Sequence, residues 1–342
     1  MPDPLNIALV CAPWRLPRRR YSGTERVVDC LARKLNNATI FAGKGTKTTA
    51  RLVSVPAMRD DGPLDLSWIE LTLFNLGKAY KMGQNGKFCL IHDHTGIFGL
   101  ATAAISPIPV AMTLHGPFTE LNSQMYAQLT GPHIVTISDS QKSLGPKNVR
   151  DSATTVYNGL DLEDFPFGPD DDGSLLFVGR ISEEKGTHLA IDVAQALNMP
   201  LKIAAKLAEV DRPYFAQYIQ PRLKRGKVTW LGEVTEHRRN RLMMGARAVL
   251  HTATWNEPFG LVMIEAMACG APVIGFNRGS VPEIVEHGRT GFVVEDVEEM
   301  LAAVRRLHTI SRPDCREHAI RNFSSERMAR DYKALYQQML AA

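Results

Sequence analysis

The sequence is poor in cysteine, in uninterrupted apolar stretches and in net charge, and each shortage excludes a class of protein. Its 342 residues include 5 cysteines, an odd number, scattered and without a CxxC pair, which argues against a disulfide framework and indicates reduced thiols in a cytosolic protein. The longest apolar stretch, 97–114, is interrupted by a serine and two prolines, so it does not predict a transmembrane helix. The formal net charge of +4 is too small to indicate nucleic-acid binding, but it is compatible with anionic small molecules or an anionic membrane surface.

Several short motifs are also missing. The stretch 43–48, GKGTKT, lacks the GxxxxGK[ST] spacing of a phosphate loop, and no G-x-S-x-G nucleophile elbow occurs. Near the N-terminus an aspartate comes first, the apolar run 7–12 is short, and the basic cluster follows it, unlike a secretory signal peptide. The sequence therefore predicts neither a P-loop enzyme, nor a serine hydrolase, nor an exported protein.

What the sequence does contain is a repeated alternation of strand-like apolar runs with helical patterns, which predicts βαβ units and parallel sheets. The chain length suggests two domains, and a turn followed by a Gly-Pro-Asp linker at 156–173 separates two such series. The expected strands are 6–11, 38–42, 51–55, 88–92, 109–114 and 134–138 in the first series, and 175–178, 201–205, 227–231, 248–251, 272–276 and 291–294 in the second. The expected helices are 25–36, 66–83, 97–105, 119–129 and, at the end of the chain, 325–340.

The most informative stretch is 254–291, which joins a carboxylate, a turn and an amphipathic helix. Glu257 precedes a turn shaped by Pro258 and Gly260, and Glu265 follows eight residues later, inside the helix. The free backbone N–H groups and the positive dipole end of a helix N-terminus suit a phosphate. Glu265 can accept hydrogen bonds from the paired hydroxyls of a ribose, and Glu257 can do the same for a sugar. The stretch therefore predicts a nucleotide-diphosphate-sugar site.

This stretch closely resembles the glutamate pair and diphosphate turn of the retaining glycosyltransferases of family 4, within glycosyltransferase group 1. The downstream Pro282-Glu283 pair and the GRTG at 288–291 also match. The resemblance extends over nearly the whole chain and implies a GT-B fold, in which two Rossmann-like doubly wound parallel-sheet domains face a central cleft. We expect the first domain at 1–162, with the C-terminal helix 325–342 packing back on it, and the nucleotide-sugar-binding domain at 163–324.

The resemblance also implies the chemistry. Such enzymes transfer a hexose from a nucleotide-diphosphate sugar to an acceptor hydroxyl with retention of configuration, by a front-face mechanism without a metal or a covalent nucleophile. Backbone groups of Phe259, Gly260 and Leu261 are then expected to bind the donor diphosphate. No cofactor is expected, and the base of the donor nucleotide is left open, with UDP or GDP favoured.

Two cations, Arg180 and Lys185, follow the first strand of the second series. Open α/β sheets bind ligands at the carboxyl ends of their strands, where cations can offset the charge of a departing nucleoside diphosphate. The family uses matching residues in this way, whereas the pair taken alone is also typical of a solvated basic turn. Glu233 and Val234 are expected to line the nucleobase pocket through their backbone groups.

The first domain supplies further candidates. Gly23 and Thr24 lie in a segment that resembles the family's first-domain glycine loop, so Gly23 is expected near the donor and Thr24 near the acceptor; Ser22 stands where a second glycine is common. The basic side chains of the preceding loop are either solvated or a cradle for an anionic acceptor or acidic lipid: Arg18, Arg19 and Arg20.

Histidines follow two of the first-domain strands. His115 matches the family's His-Gly position and is expected to hold the transferred sugar. His92 and His94 point to one face of a strand, as a metal pair would, but no third ligand is evident nearby, which favours packed neutral imidazoles. No metal site is predicted.

Two other functions fit parts of this pattern. A hydrolysing nucleotide-sugar epimerase shares the fold and donor class, but it needs carboxylate acid/base partners that the sequence does not place. A non-enzymatic two-domain solute-binding protein also has paired α/β lobes, but the missing export signal and the Arg180–Lys185 pair argue against it. We expect a cytoplasmic transferase, with or without peripheral contact at the inner membrane face, and a small-molecule, lipid-linked or polysaccharide acceptor. The nucleobase, sugar, acceptor and oligomeric state stay open.

Overall fold

The computed structural model describes residues 5–16, 23–58 and 66–341, which form two compact units. Unit 1 comprises Met1–Asp161 together with Ser325–Ala342, and unit 2 is Leu162–Ser324. The whole of unit 2 therefore interrupts unit 1 in the sequence, and unit 1 ends with the C-terminal helix.

Unit 1 is built on a seven-stranded parallel sheet with the strand order β3-β2-β1-β4-β5-β6-β7. Its central strands are buried along their whole length, as apolar runs covered on both faces by helices must be. The strands are β1 (Ile7–Val10), β2 (Ala38–Gly43), β3 (Arg51–Val55), β4 (Leu90–Asp93), β5 (Val110–Leu114), β6 (His133–Thr136) and β7 (Thr154–Thr155).

Unit 2 repeats this plan with a six-stranded parallel sheet in the order β10-β9-β8-β11-β12-β13. Its strands are β8 (Leu175–Arg180), β9 (Leu201–Lys206), β10 (Val228–Trp230), β11 (Ala248–His251), β12 (Val273–Phe276) and β13 (Gly291–Val294). In both sheets the second and third strands of the sequence lie on one side of the first strand, and the later strands lie on its other side. Each consequently has a switch point, between β1 and β4 in unit 1 and between β8 and β11 in unit 2, where such sheets bind ligands at the carboxyl ends of the strands.

Helices separate the strands. In unit 1 they are α1 (Gly23–Lys34), α2 (Leu66–Gln84), α3 (Ile97–Ala104), α4 (Glu120–Gln128), α5 (Asp139–Ser143) and α6 (Lys147–Ser152). In unit 2 they are α7 (Thr187–Ala196), α8 (Arg212–Tyr214), α9 (Gln220–Leu223), α10 (Glu236–Gly245), α11 (Leu261–Ala268), α12 (Val281–Ile284), α13 (Val297–Arg305) and α14 (Arg312–Phe323). A π-helical stretch, Phe215–Ile219, joins α8 to α9, and short 3-10 turns occupy Leu162–Asp164, Glu209–Asp211 and Leu307–Thr309.

The last helix, α15 (Ser325–Ala341), is part of unit 1. It buries one stripe at helical spacing, formed by Met328, Tyr332, Leu335 and Tyr336. The helix is anchored at its start, where Ser325 N donates to the carbonyl of Leu160 at 2.8 Å.

The predicted α/β class with two doubly wound parallel sheets is confirmed. Each strand expected from the sequence overlaps an observed strand. The strand β7 was not predicted, because its 2 residues are too few to show a pattern of apolar and polar residues. Ser138 accepts a hydrogen bond from Gln141 N and caps α5. Across 5–16, 23–58 and 66–341, no helix is both long and apolar enough to span a membrane.

Candidate functional site

The switch point of unit 2 is bounded by the loops that follow β8 and β11, and hydrogen bonds join these two loops. Thr252 Oγ1 donates to the carbonyls of Lys185 at 3.1 Å and Gly186 at 2.9 Å, and Thr254 N donates to the carbonyl of Glu184 at 2.8 Å. Gly186 has a φ of +64°, and a Cβ there would lie 2.1 Å from the Thr252 carbonyl oxygen. Only glycine allows this approach, which fixes Lys185 beside the loop after β11.

The carboxylate of Glu257 lies between two basic side chains. Lys185 Nζ is 2.5 Å from Oε1, and His251 Nε2 is 3.1 Å from Oε2. The second contact lacks hydrogen-bond alignment, so both atoms keep hydrogen-bonding capacity. Burial alone would raise the pKa of Glu257, but its close neighbours His251 and Lys185 outweigh burial and lower the pKa to about 2. Glu257 is thus an ionised carboxylate whose side chain is 14% exposed.

Trp255 completes the surroundings of Lys185. The ammonium lies 5.3 Å from the centre of the indole ring, close enough for a cation–π interaction. The indole Nε1 is buried, and among the residues described it has no hydrogen-bond partner. Lys185 is therefore held from one side by a carboxylate and from another by an aromatic ring.

The turn after Glu257 is braced by a second loop. Ser280 N donates to the Glu257 carbonyl at 3.2 Å, and Ser280 Oγ donates to the Phe259 carbonyl at 2.6 Å. Gly260 adopts a φ of +78° and occupies the N-cap position of α11, with no side-chain cap for the free N–H groups of the first helical turn. Glu257 and the N-terminus of α11, which begins at Leu261, are therefore held next to each other.

Glu265 lies inside α11 and is 0% exposed. Its Oε1 is 3.2 Å from Nη2 of Arg239, a buried residue of α10. A buried carboxylate requires such a partner. The structure thus gives Glu265 a buried ion pair, and its binding of ribose stays a prediction.

Arg180 ends β8 with its side chain 46% exposed. It forms ion pairs with Glu184 and, through Nε at 3.3 Å, with Asp211. In the sheet register Arg180 lies opposite Lys206, at the end of β9. Two cations therefore stand side by side at this edge, one of them oriented by two acidic side chains.

Glu233 and Val234 follow β10, the outermost strand on one side of the sheet and two strands from β8. Glu233 is exposed and Val234 is half-buried. Their role at the nucleobase stays a prediction.

Unit 1 brings three histidines together. His94 Nδ1 lies 3.0 Å from His115 Nε2, and the rings of His92 and His94 pack with their centres 3.9 Å apart. His92 in turn bonds Thr113 through Nε2 and Tyr336 of α15 through Nδ1, both at 2.7 Å. Burial lowers the pKa of all three imidazoles, that of His115 to about 4. In the part of the chain that the structure describes, no group of three or more His, Cys, Asp or Glu side chains could hold a metal ion.

The other first-domain candidates are spread along one segment. Gly23 and Thr24 are the first residues of α1 and are half-buried. Arg18, Arg19 and Arg20 lie outside the described residues, so their predicted acceptor or lipid contact stays a prediction.

Residues 163–323 match the family model of the glycosyl transferases group 1. This range coincides with unit 2 and contains Arg180, Lys185, Glu257 and Glu265. Unit 2 is a group 1 glycosyl transferase domain.

Curated relatives of this glycosyltransferase agree with the match. The chain is 25% identical over 308 residues to alpha-maltose-1-phosphate synthase of Mycolicibacterium smegmatis, which covers 74% of the chain and 79% of that enzyme. It is 25% identical over 245 residues to spore coat protein SA of Bacillus subtilis, covering 60% of the chain and 64%, less than two thirds, of that protein. The chain is therefore an enzyme of the glycosyltransferase class.

Solved structures share the fold. AviGT4, a glycosyltransferase involved in avilamycin A biosynthesis, superposes with a TM-score of 0.75 at 23% identity, covering 99% of both chains. Alr3699/HepE of Anabaena, in complex with UDP and glucose, superposes with a TM-score of 0.74 at 18% identity, covering 97% of this chain and 99% of that one. The two Rossmann-like units of this glycosyltransferase are those of the GT-B fold.

Three polar residues of this glycosyltransferase's site were missed by reasoning from the sequence. His251 is the last residue of β11, and its position at the carboxyl end of a strand beside the switch point was the available signal. Trp255 precedes Glu257 by two residues and carried no pattern of its own. Asp211 ends the short 3-10 turn after β9, and its contact with Arg180 follows only from the folded chain.

Proposed function

We propose that this glycosyltransferase transfers a hexose from a nucleotide-diphosphate sugar to an acceptor hydroxyl with retention of anomeric configuration. The observation that carries the proposal is the half-buried Lys185–Glu257–His251 cluster, which adjoins the N-terminus of α11 at the switch point of unit 2. A cation, an ionised carboxylate and free helix N–H groups are there within one small region.

Negative charge develops on the diphosphate as the glycosyl bond breaks. Arg180, Lys185 and the backbone N–H groups around Phe259–Leu261 stabilise that charge, and they do so from fixed positions. The ion pairs of Arg180 with Glu184 and Asp211 hold its guanidinium at the strand end before the donor arrives. This arrangement supports a preorganised diphosphate site.

The carboxylates bind hydroxyl groups of the donor. Glu257 accepts hydrogen bonds from hydroxyls of the transferred sugar through Oε2, which has no aligned partner among the described residues. Glu265 accepts those of the ribose, with Arg239 holding its carboxylate. Backbone groups of Gly23, Glu233 and Val234 complete the donor contacts.

The chemical step uses neither a covalent nucleophile nor a metal in this proposal. The acceptor hydroxyl attacks the face that the diphosphate leaves, and the leaving phosphate oxygen takes the acceptor proton. His115 of unit 1 holds the transferred sugar, and Thr24 with Arg18, Arg19 and Arg20 contacts the acceptor, which is a small molecule, a lipid-linked sugar or a polysaccharide. The solved complex of Alr3699/HepE with UDP and glucose supports UDP as the first donor base to test, ahead of GDP.

The proposal is tested by thermal denaturation of the whole chain with UDP, GDP and ADP. A nucleotide at about 100 times its Kd adds about 2.7 kcal/mol of apparent stability, which raises the Tm of a domain of this size by about 5–10 °C. We expect such a shift with one nucleotide, and we expect Arg180→Ala to abolish it. Lys202→Ala, which removes a cation near the amino end of β9, is the matched control and should keep the shift.

A second measurement separates transfer from mere binding. With the nucleotide identified, the corresponding UDP- or GDP-hexose is incubated with sugar acceptors, and the anomeric coupling in the product is read by NMR. Retention is expected. An inverted product, or a donor consumed equally fast without any acceptor, would contradict the proposed reaction.

A further inference from the structure

We propose that His94 is a positioning residue that fixes the tautomer of His115, so that His115 presents Nδ1–H as a hydrogen-bond donor to an oxygen of the bound sugar. The identity of that ligand rests on the proposed function, whereas the tautomer itself depends only on unit 1. The two parts can therefore fail separately.

One hydrogen bond joins the two imidazoles, with its proton on one of the two facing nitrogens. His94 Nδ1 and His115 Nε2 are 3.0 Å apart, and the planes of the two rings differ by 29°, with the ring centres 5.3 Å apart. At this distance one nitrogen donates and the other accepts. A neutral imidazole carries a single N–H, so if one ring nitrogen donates, the other is a bare acceptor, and if one accepts, the other carries the proton.

The second nitrogen of His94 decides which arrangement holds. His94 is 5% exposed, and within the described ranges its Nε2 is buried without a hydrogen-bond partner. If His115 donated, His94 would carry its proton on this Nε2, and a buried N–H would lack an acceptor. If His94 Nδ1 donates, only a lone pair lacks a partner, and orphaned buried N–H groups are the rarer case in proteins.

His115 then has a fixed protonation pattern. Its Nε2 accepts from His94, so its proton lies on Nδ1. The ring is half-buried rather than fully buried, and the hydrogen bond that the described residues give it is the one through Nε2. The Nδ1–H is consequently the donor that remains for a ligand oxygen, and the low pKa values caused by burial keep both rings neutral near pH 7.

His94 is itself held in place by a hydrogen-bonded chain that reaches α15. Its ring packs on His92, whose two nitrogens are both engaged, with Thr113 and Tyr336. Thr113 also bonds the hydroxyl of Tyr332 at 2.8 Å. Because its partners are buried, His92 is fixed, and its ring in turn restricts rotation of the His94 ring packed against it, which suits a residue that orients another.

The tautomer is measured on the full chain labelled with ¹⁵N-histidine, by long-range ¹H–¹⁵N correlation, with the His115 signals assigned from the His115→Gln variant. We expect the wild-type protein to show His115 protonated on Nδ1 and bare on Nε2. Protonation of His115 on Nε2 would overturn the proposal, whatever the enzyme's substrates prove to be.

Variants of His94 test the consequence for the reaction. His94→Phe keeps a ring of similar shape but removes the donor; we expect His115 to move to the Nε2–H form and kcat/KM for transfer to fall about 10-fold, as for the loss of one hydrogen bond, with nucleotide binding unchanged. His94→Asn, whose amide can take the place of Nδ1–H, should recover activity to within about 3-fold. His133→Gln is the control, because His133 bonds Thr154 on another strand. A His94→Phe protein that retains both the Nδ1–H form and full activity would refute the role.

Discussion

Replacing Glu257 by glutamine should change how the stability of the protein depends on pH. The pKa of Glu257 is lowered from 4.5 to about 2 by His251 and Lys185 acting against burial, and each pKa unit corresponds to about 1.36 kcal/mol. The ionised carboxylate therefore contributes about 3 kcal/mol to the folded state. Because the folded-state pKa lies below the unfolded-state value, this contribution is complete above pH ~4.5 and is lost as the pH falls towards 2. Roughly 2 kcal/mol of it should be gone at pH 3.

The measurement is urea unfolding of wild type and Glu257→Gln at pH 7 and pH 3, monitored by far-UV circular dichroism. Wild type should be the more stable at pH 7, and its advantage should shrink by about 2 kcal/mol at pH 3. Glu183→Gln removes an exposed carboxylate from the neighbouring loop and should show differences within about 0.5 kcal/mol at both pH values. An advantage of Glu257 that is equal at pH 7 and pH 3 would refute the argument that Lys185 and His251 hold an ionised carboxylate.

Two further predictions concern residues that hold the site in place. Gly186→Ala should lower the free energy of unfolding of unit 2 by about 3 kcal/mol or more, because the added Cβ meets a carbonyl oxygen at 2.1 Å in addition to the cost of a positive φ. Gly232→Ala, where φ is +71° and the space around the Cβ is open, should lower it by only about 1 kcal/mol. Equal losses of stability in urea unfolding would argue against the close approach at Gly186. Arg239→Met should lower the free energy of unfolding by about 3–5 kcal/mol, because it leaves the buried charge of Glu265 without its guanidinium partner. Glu236→Gln, which alters the exposed partner of the same arginine at 3.8 Å, should lower it by less than about 1 kcal/mol. Similar Tm values for the two variants would contradict a buried ion pair.

Much of the fold could be predicted from the sequence because parallel strands covered on both faces must be apolar throughout. The runs at β1, β8 and β11 are of this kind, and turn residues delimit them clearly. The strand β7 was not predicted, since two residues show no period. The helices α7, α10, α13 and α14 were expected only as part of the second βα series, without bounds.

The site was less predictable, and the reason is physical. Glu257 and Lys185 could be identified because each belongs to a local motif, but their mutual contact spans 72 residues of sequence and depends on β8 lying next to β11. The partnerships of Arg180 with Asp211 and of Glu265 with Arg239 depend likewise on packing between distant segments. A motif can place a side chain at a strand end, but the groups that fix its charge and orientation come from other parts of the chain.

The position of α15 after unit 2 in the sequence affects how the protein is made. During synthesis the ribosome releases all of unit 2 before it releases the helix that supplies Tyr332 and Tyr336 to unit 1. Domains fold largely as units while the chain emerges, so unit 2 has its complete sequence at a time when His92 still lacks Tyr336, its partner at Nδ1. The N-terminal unit, although it is translated first, is therefore completed after unit 2, and a chain truncated after residue 324 would expose the surface that α15 covers.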